Sequence, residues 1–493
     1  MGIVIKQSFN NLVTTFLGFG IGALNTLFLY VNFMSDAYYG LVGFLLSTAM
    51  ILMPFLAFGV HNTLVKFYSS YAGQDQDRFL LWMLLLPLAM ILPATGLCYL
   101  FYEQITLFLS TKNEIFGDYL WYILLIAIAS AYFEVFFAWS KVHMKTSFGN
   151  FMKEVFHRVG TMCLLILLAF DVITIDSFLK ALVGVYIVRM VIMKLYAYRL
   201  RMPKLSGLTK QKRTLLKRPP QFGRVLKYTS LIIIAGSVAT LLMDLDKFMI
   251  GKYELVENIA YYSVAIYMAT VIAVPVRAMH QITYPMVAKL LNEKKINEIK
   301  DLYVKSSLTL FVISSLLFLL ISCNVKSLYL LIDPTYAAGL YVVLLIGSTR
   351  VLDNILGINN AILFNSDYYR LVLILGIGLV SLAVILNMYF IPRYGIQGAA
   401  IATFIASFSY SLLKIAMVRW KFGLLPFSKG TLSMLIITFA FFGGFYFWDF
   451  DFHPLTNILL KSGIIGLLFV AIVHGFNVSP DISNAIRKLV QRD

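Results

Sequence analysis

The sequence predicts an all-α integral membrane protein with about 14 transmembrane helices. Three observations carry that expectation. Of 493 residues, 60% are hydrophobic and only 13% are charged, where a soluble domain has about 25% charged residues. The uncharged runs are long enough to cross a hydrocarbon core. Basic and acidic residues alternate between successive loops. With a mean hydropathy of +0.82, the chain lacks the polar surface to cover a globule in water. Lipid must be most of its solvent, and a helix satisfies its own backbone there.

The elements follow in order. Stretches without Asp, Glu, Lys or Arg run over 7–35, 37–65, 79–102, 258–276, 306–325, 371–392, 394–413, 430–448 and 462–480. Others, interrupted by two or three charges, cover about 116–140, 151–170, 177–198, 228–250 and 336–363. Ser35-Asp36 reads as the turn between the first two. The uncharged run after Lys6 is too long for a signal-peptide core, so it reads as a first spanning helix. The 3 cysteines, Cys98, Cys163 and Cys323, lie in apolar runs and imply no disulfide framework.

The net charge is +17. In a soluble protein that would suggest nucleic acid; here no nucleic-acid partner is expected, and the charge reports orientation. With the N-terminus inside, the inner loops hold, among others, Lys66, Arg78, Lys141, Lys145, Lys153, Lys289, Lys294, Lys295, Lys414, Arg419 and Lys421. The outer loops hold mainly acids, among them Asp36, Glu103, Glu114, Asp176, Glu254, Asp333 and Asp449. Lys112, Lys252, Lys326 and Arg393 are the outer exceptions. The positive-inside rule then places both termini in the cytoplasm. The basic run 199–227 has no acid and reads as a topology determinant and linker, able also to meet anionic headgroups.

That linker leaves six spans before it and eight after. Ala37-Tyr38-Tyr39 opens the second span and Ala260-Tyr261-Tyr262 the eighth, and at the same offset Lys66 falls on Lys289. Six spans separate the copies, so both enter the membrane in the same direction, as parallel repeats do. The expected organisation is two six-helix bundles in pseudo-twofold arrangement, 1–200 and 227–420, joined by the linker 201–226. A helix pair at 421–476 and a cytoplasmic tail at 477–493 complete it.

The segment Leu386-Asn387-Met388-Tyr389-Phe390-Ile391-Pro392-Arg393-Tyr394-Gly395-Ile396-Gln397-Gly398-Ala399-Ala400 continues through Ile401-Ala402-Thr403. It resembles the turn between spans eleven and twelve in the polysaccharide-export flippases of the multidrug/oligosaccharidyl-lipid/polysaccharide superfamily. Asp246-Lys247-Phe248-Met249-Ile250-Gly251 with Ala260-Tyr261-Tyr262, and Asp333-Pro334-Thr335-Tyr336, add to the resemblance in order and spacing. The family has Gly where this chain has Ala260. The resemblance implies two bundles around a central cavity working by alternating access. It implies transport of undecaprenyl-diphosphate-linked oligosaccharide across the bacterial inner membrane for surface polysaccharide, lipopolysaccharide included. Polysaccharide-assembly glycosyltransferases and a polymerase are then the expected protein partners, alongside membrane lipids.

Charges inside spans are costly and therefore functional candidates. Arg350 lies 17 positions after Asp333 and Arg189 lies 13 after Asp176, both near mid-span, with Arg277 toward the inner half. These three are the expected contacts of a diphosphate, which an arginine fork binds bidentately. Glu154 with Arg158 and Arg350 with Asp353 can instead pair on one helix face. Asp244, Asp246, Asp353 and Glu134 are candidates for proton or sodium coupling, with Arg158 coupling or structural; membrane potential alone would also suffice. The scattered histidines show no metal-ligand spacing, and no cofactor is expected. The short outer loops and absent nucleophile, Walker and Rossmann motifs point away from a polymerase or glycosyltransferase. A drug or cation antiporter of the same superfamily would ordinarily have two spans fewer, so a flippase for the peptidoglycan precursor is the nearer alternative.

Overall fold

The structure, a computed structural model, describes residues 2–202, 222–366 and 368–490. Most of the basic linker, 203–221, and the last residues of the tail lie outside the described residues. Each of the fourteen segments read from the sequence is largely helical, some with a short break such as 57–59 or 356–358, and no strand occurs among the described residues.

In chain order, α1 (Gly2–Leu24) continues through a π turn at Asn25–Leu29 to Phe33. Then come α2 (Asp36–Leu56), α3 (Val60–Phe67), α4 (Gly73–Leu85), α5 (Leu88–Leu100), α6 (Tyr102–Leu109) and α7 (Leu120–Val142). α8 (Thr146–Phe151) passes through a second π turn, Met152–Phe156, into α9 (His157–Ala169), followed by α10 (Ile175–Leu200) and α11 (Phe222–Tyr253). The remainder are α12 (Glu257–Thr270), α13 (Val274–Asn292), α14 (Ile296–Ser322), α15 (Val325–Ile332), α16 (Leu340–Ile355), α17 (Asn359–Phe364), α18 (Tyr369–Phe422), α19 (Lys429–Phe445), α20 (Pro454–Gly475) and α21 (Pro480–Val490).

Among the described residues, nine helical stretches are long and apolar enough to cross a membrane by length and composition, fewer than the fourteen segments. Part of the difference has physical causes. α8–α9 carries Lys153, Glu154 and Arg158, and α10 carries Lys180, Arg189 and Lys194. α19 is apolar but has 17 residues. α18 counts once although it holds two of the segments.

The break in α18 explains the motif around it. Gly395 has φ 55° and ψ −136°, outside the helical region. That conformation strains any residue with a Cβ. Three residues on, a Cβ on Gly398 would collide with the Phe390 carbonyl. The two glycines let the chain turn and let the second half pack against the first. A few helix starts are fixed by side chains. Ser428 Oγ accepts from Thr431 N at 3.3 Å while Thr431 Oγ1 accepts from Ser428 N at 3.1 Å, a reciprocal cap at the start of α19. Asp333 accepts from Thr335 N at 2.7 Å ahead of α16.

The chain divides into two compact units, Met1–Ala260 and Tyr261–Asp493. In the first, α7 packs on α2, α3 and α10 around Phe79, Met83, Phe133 and Trp139, all nearly or fully buried. The sequence reading opens the second lobe at residue 227, whereas α11 belongs by its contacts to the first unit. Phe44 on α2 stacks on Phe248 with centroids 5.9 Å apart. The hydroxyls of Thr63 and Thr229 meet at 2.9 Å. Asn113 donates to the carbonyls of Gly251 and Glu254 and accepts from Val256 N.

In the second unit, α14 packs on α16 and α19, and α16 on α18. Phe311, Leu319, Ile465 and Phe469 form its core, so the helix pair α19–α20 is built into this unit. Tyr39 and Tyr262, equivalent in the sequence repeat, are both buried, each within its own unit.

Candidate functional site

Each unit holds a polar cluster on otherwise apolar helices. In the first, α7 and α8 form a hairpin turning at His143–Lys145, with Met144 at φ 57°. Glu134 and Lys153 stand about equally far from that turn, and Lys153 Nζ donates to Glu134 Oε1 at 2.6 Å. The carboxylate side chain is 11% exposed. His61 on α3 and Lys141 lie within Coulombic range of it. Lys141 Nζ also sits 4.0 Å from the Phe137 ring centroid.

Arg189, from α10, is enclosed rather than paired with an acid. Its guanidinium lies 4.3 Å from the Phe133 centroid and 4.7 Å from that of Tyr186. Nη2 donates to Ser130 Oγ at 3.3 Å. Cation–π contact compensates part of the lost hydration. Arg158 meets Glu154 Oε2 at 3.6 Å and donates to the Glu154 carbonyl at 3.1 Å. Asn25, in the first π turn, donates to the Arg158 carbonyl at 2.8 Å. π turns free a backbone carbonyl and are frequent at functional positions. The cluster thus sets Lys141, Lys153, Arg158 and Arg189 against Glu134 and Glu154, an excess of cations.

Asp244, Asp246 and Lys247 lie on α11 within Coulombic range of one another. Asp246 is 3% exposed.

In the second unit, Arg350 Nη1 lies 3.7 Å from Asp353 Oδ2. The helix ends just beyond, where Gly357 takes φ 54° and its carbonyl lies 3.2 Å from His280 Nε2. Lys414, from α18, is 4% exposed. Its Nζ donates to Asn360 Oδ1 at 3.3 Å and sits 4.4 Å from the Tyr410 centroid. Asn359, fully buried, donates to Tyr303 Oη at 2.9 Å. Arg277, on α13, is exposed.

The structure therefore brings Arg350 to Asp353, Arg158 to Glu154, and Glu134 to a partner the sequence reading placed in a loop. Lys153 and Lys414 read from the sequence as loop cations and Lys461 has no assigned role there, yet each reaches a polar partner on a neighbouring element. Lys461 Nζ, on α20, donates to Asp449 Oδ1 at 2.9 Å, and its side chain is 1% exposed. Among the described residues no group of three or more His, Cys, Asp or Glu could hold a metal ion.

No protein-family model matches the chain, and no curated protein matches it. Solved structures do. The lipid II flippase MurJ in an inward closed conformation superposes with a TM-score of 0.72 at 16% identity, covering 94% of this chain and 99% of that one. An inward-facing MATE-family multidrug resistance transporter of the MOP superfamily gives 0.62 at 13% identity, over 84% of this chain and 94% of that one. A MATE structure in complex with MaL6 gives 0.55 at 13% identity, over 85% and 96%. Over 94% of its length, the chain shares the all-helical fold of that lipid II flippase structure.

Proposed function

We propose that the chain is a flippase moving a lipid-linked oligosaccharide, undecaprenyl-diphosphate at its anchor, from the cytoplasmic to the periplasmic leaflet of the bacterial inner membrane by alternating access. The observation that carries this reading is the fold match to a lipid II flippase over 94% of the chain. The MATE transporters cover 84–85% of it. The shortfall is roughly the length of one helical hairpin, and the chain carries such a hairpin in α19–α20. Arg350, Arg189 and Arg277 are the proposed diphosphate contacts, Arg350 exchanging its Asp353 partner for substrate. Glu134, Asp244, Asp246 or Asp353 would carry a coupling proton or sodium ion, with Arg158 holding Glu154. The protein performs no bond chemistry. Glycosyltransferases supply the substrate inside and a polymerase consumes it outside, and both termini lie in the cytoplasm.

The second reading, a flippase for the peptidoglycan precursor, is favoured by the same structural match. Depletion of the protein separates the two. Undecaprenyl-diphosphate oligosaccharide should accumulate while cell-wall synthesis continues. Accumulation of peptidoglycan precursor with lysis would replace the first reading by the second.

A further inference from the structure

Where α3 ends and α11 begins, the first unit has a cavity of about 430 Å³ lined by Lys66, Phe67, Ser70, Tyr71, Asp75 and Arg224 among others. That is the size range of small-ligand sites, about 300–1,000 Å³. Its charge is not balanced from within. Asp75, the acid in the wall, is engaged by Arg78 Nη1 at 3.0 Å. Lys66 is held by rings instead of a carboxylate, its Nζ 3.9 Å from the Tyr228 centroid and 5.8 Å from that of Phe67. Arg224 is exposed and forms no ion pair with a described residue. Two cations and the Ser70 hydroxyl thus line one cavity with two aromatic rings. That combination suits a phosphate ester with an organic substituent.

Two observations choose the source of that phosphate. Val65, beside Lys66, is 53% exposed, and Leu226, two residues after Arg224, is 36% exposed, so apolar surface adjoins both cations. The alternation of loop charge assigns this end of the helices to the cytoplasmic face, whose leaflet carries anionic headgroups. We propose that this cavity binds the phosphodiester headgroup of an anionic phospholipid from the inner leaflet. Lys66 and Arg224 hold the phosphate, Ser70 donates to it, and the chains lie along Val65 and Leu226. An occupied cavity links the end of α3 to the start of α11 through the ligand. The inference does not depend on which substrate is transported.

The test is native mass spectrometry of the full-length protein titrated with phosphatidylglycerol, phosphatidylcholine or glycerol 1-phosphate. Phosphatidylglycerol should bind roughly 10-fold or more tightly than phosphatidylcholine, and K66A/R224A should lose that preference. The charge-keeping K66R/R224K should retain it, as should K145A/K227A, which removes two exposed cations outside the cavity. Unchanged preference in K66A/R224A would overturn the proposal. An equal loss in K145A/K227A would do the same, because general attraction would then explain binding. Displacement of phosphatidylglycerol by an equal concentration of glycerol 1-phosphate would overturn the lipid assignment in favour of a soluble phosphate ester. Should K66A/R224A fail to fold, the single variants K66A and R224A carry the test, each expected to lose part of the preference.

Discussion

Lys153 Nζ lies 2.6 Å from Glu134 Oε1, across the hairpin of α7 and α8. The carboxylate is nearly enclosed at 11% side-chain exposure, while the lysine stem is 43% exposed. Such a pair is strained most when one partner is removed, because the survivor keeps its desolvation cost without its counter-charge. K153M should therefore destabilise the protein by roughly 2 kcal/mol, a value discounted for the exposed lysine. E134Q/K153M should recover most of it. Thermal unfolding in detergent decides, and additive losses in the double variant would contradict the pairing.

Asp449 and Lys461 make the stronger case. Lys461 is 1% exposed, and Asn457 ties the same carboxylate to Ser327 through its amide, at 3.3 Å and 2.8 Å. D449N leaves a buried ammonium without a counter-ion and should cost about 3 kcal/mol. Partial undocking of α20 from α15 should show as faster proteolysis of the 446–453 loop. D449N/K461M should restore protection.

The same pair sets a pH dependence. Burial pushes the Asp449 carboxyl up, but the bonds from Lys461 and Asn457 outweigh it and hold it below its ordinary value. A depressed carboxylate contributes stability that is complete above the unfolded value, about 3.9, and is lost as pH falls through the folded value. The contribution should be flat from about pH 5 to 8 and decline only below about pH 4. D449N should abolish that acid-side decline. A melting difference between wild type and D449N that changes between pH 5 and 8 would contradict this.

Gly395 and Gly398 test the turn in α18. G395A places a Cβ at φ 55° and ψ −136°, a region that favours glycine, and should cost about 1–3 kcal/mol. G398A drives a Cβ into the Phe390 carbonyl, which is backbone and cannot rotate away, so its loss should be larger. Monodisperse yield and melting temperature rank the two variants.

The fold was legible in the sequence because lipid imposes one requirement on every span, a long uncharged helix. The i,i+3 and i,i+4 pairs, Arg350–Asp353 and Glu154–Arg158, were legible for a similar reason: helical spacing alone brings them together. The Glu134–Lys153 pair was not, although its two members flank a turn at nearly equal distances, a pattern only an antiparallel hairpin converts into contact. Lys414 and Lys461 were hidden by position. A cation near a span end reads as interfacial, and only packing shows that Asn360 or Asp449 draws it inward. Arg189 was identified as an intramembrane charge, but its aromatic enclosure by Phe133 and Tyr186 depends on the rotation of α7 against α10, which no spacing rule gives. The membership of α11 in the first unit was equally out of reach, since the linker's charge marks a loop and not a packing boundary.

The central claim is transport of a lipid-linked oligosaccharide, and Arg350 is where it meets the structure. Asp353 is 38% exposed, so loss of its partner should cost under about 1 kcal/mol. The most direct measurement is flipping of fluorescent undecaprenyl-diphosphate oligosaccharide in proteoliposomes, read as the fraction quenched by membrane-impermeant dithionite. Wild-type protein should expose the labelled lipid well above protein-free vesicles. R350A and R350K should both fall several-fold while reconstituting and melting nearly as wild type, because lysine keeps the charge but not the fork. Wild-type protein indistinguishable from empty vesicles would contradict the account, and R350A flipping at the wild-type rate would remove Arg350 from the site.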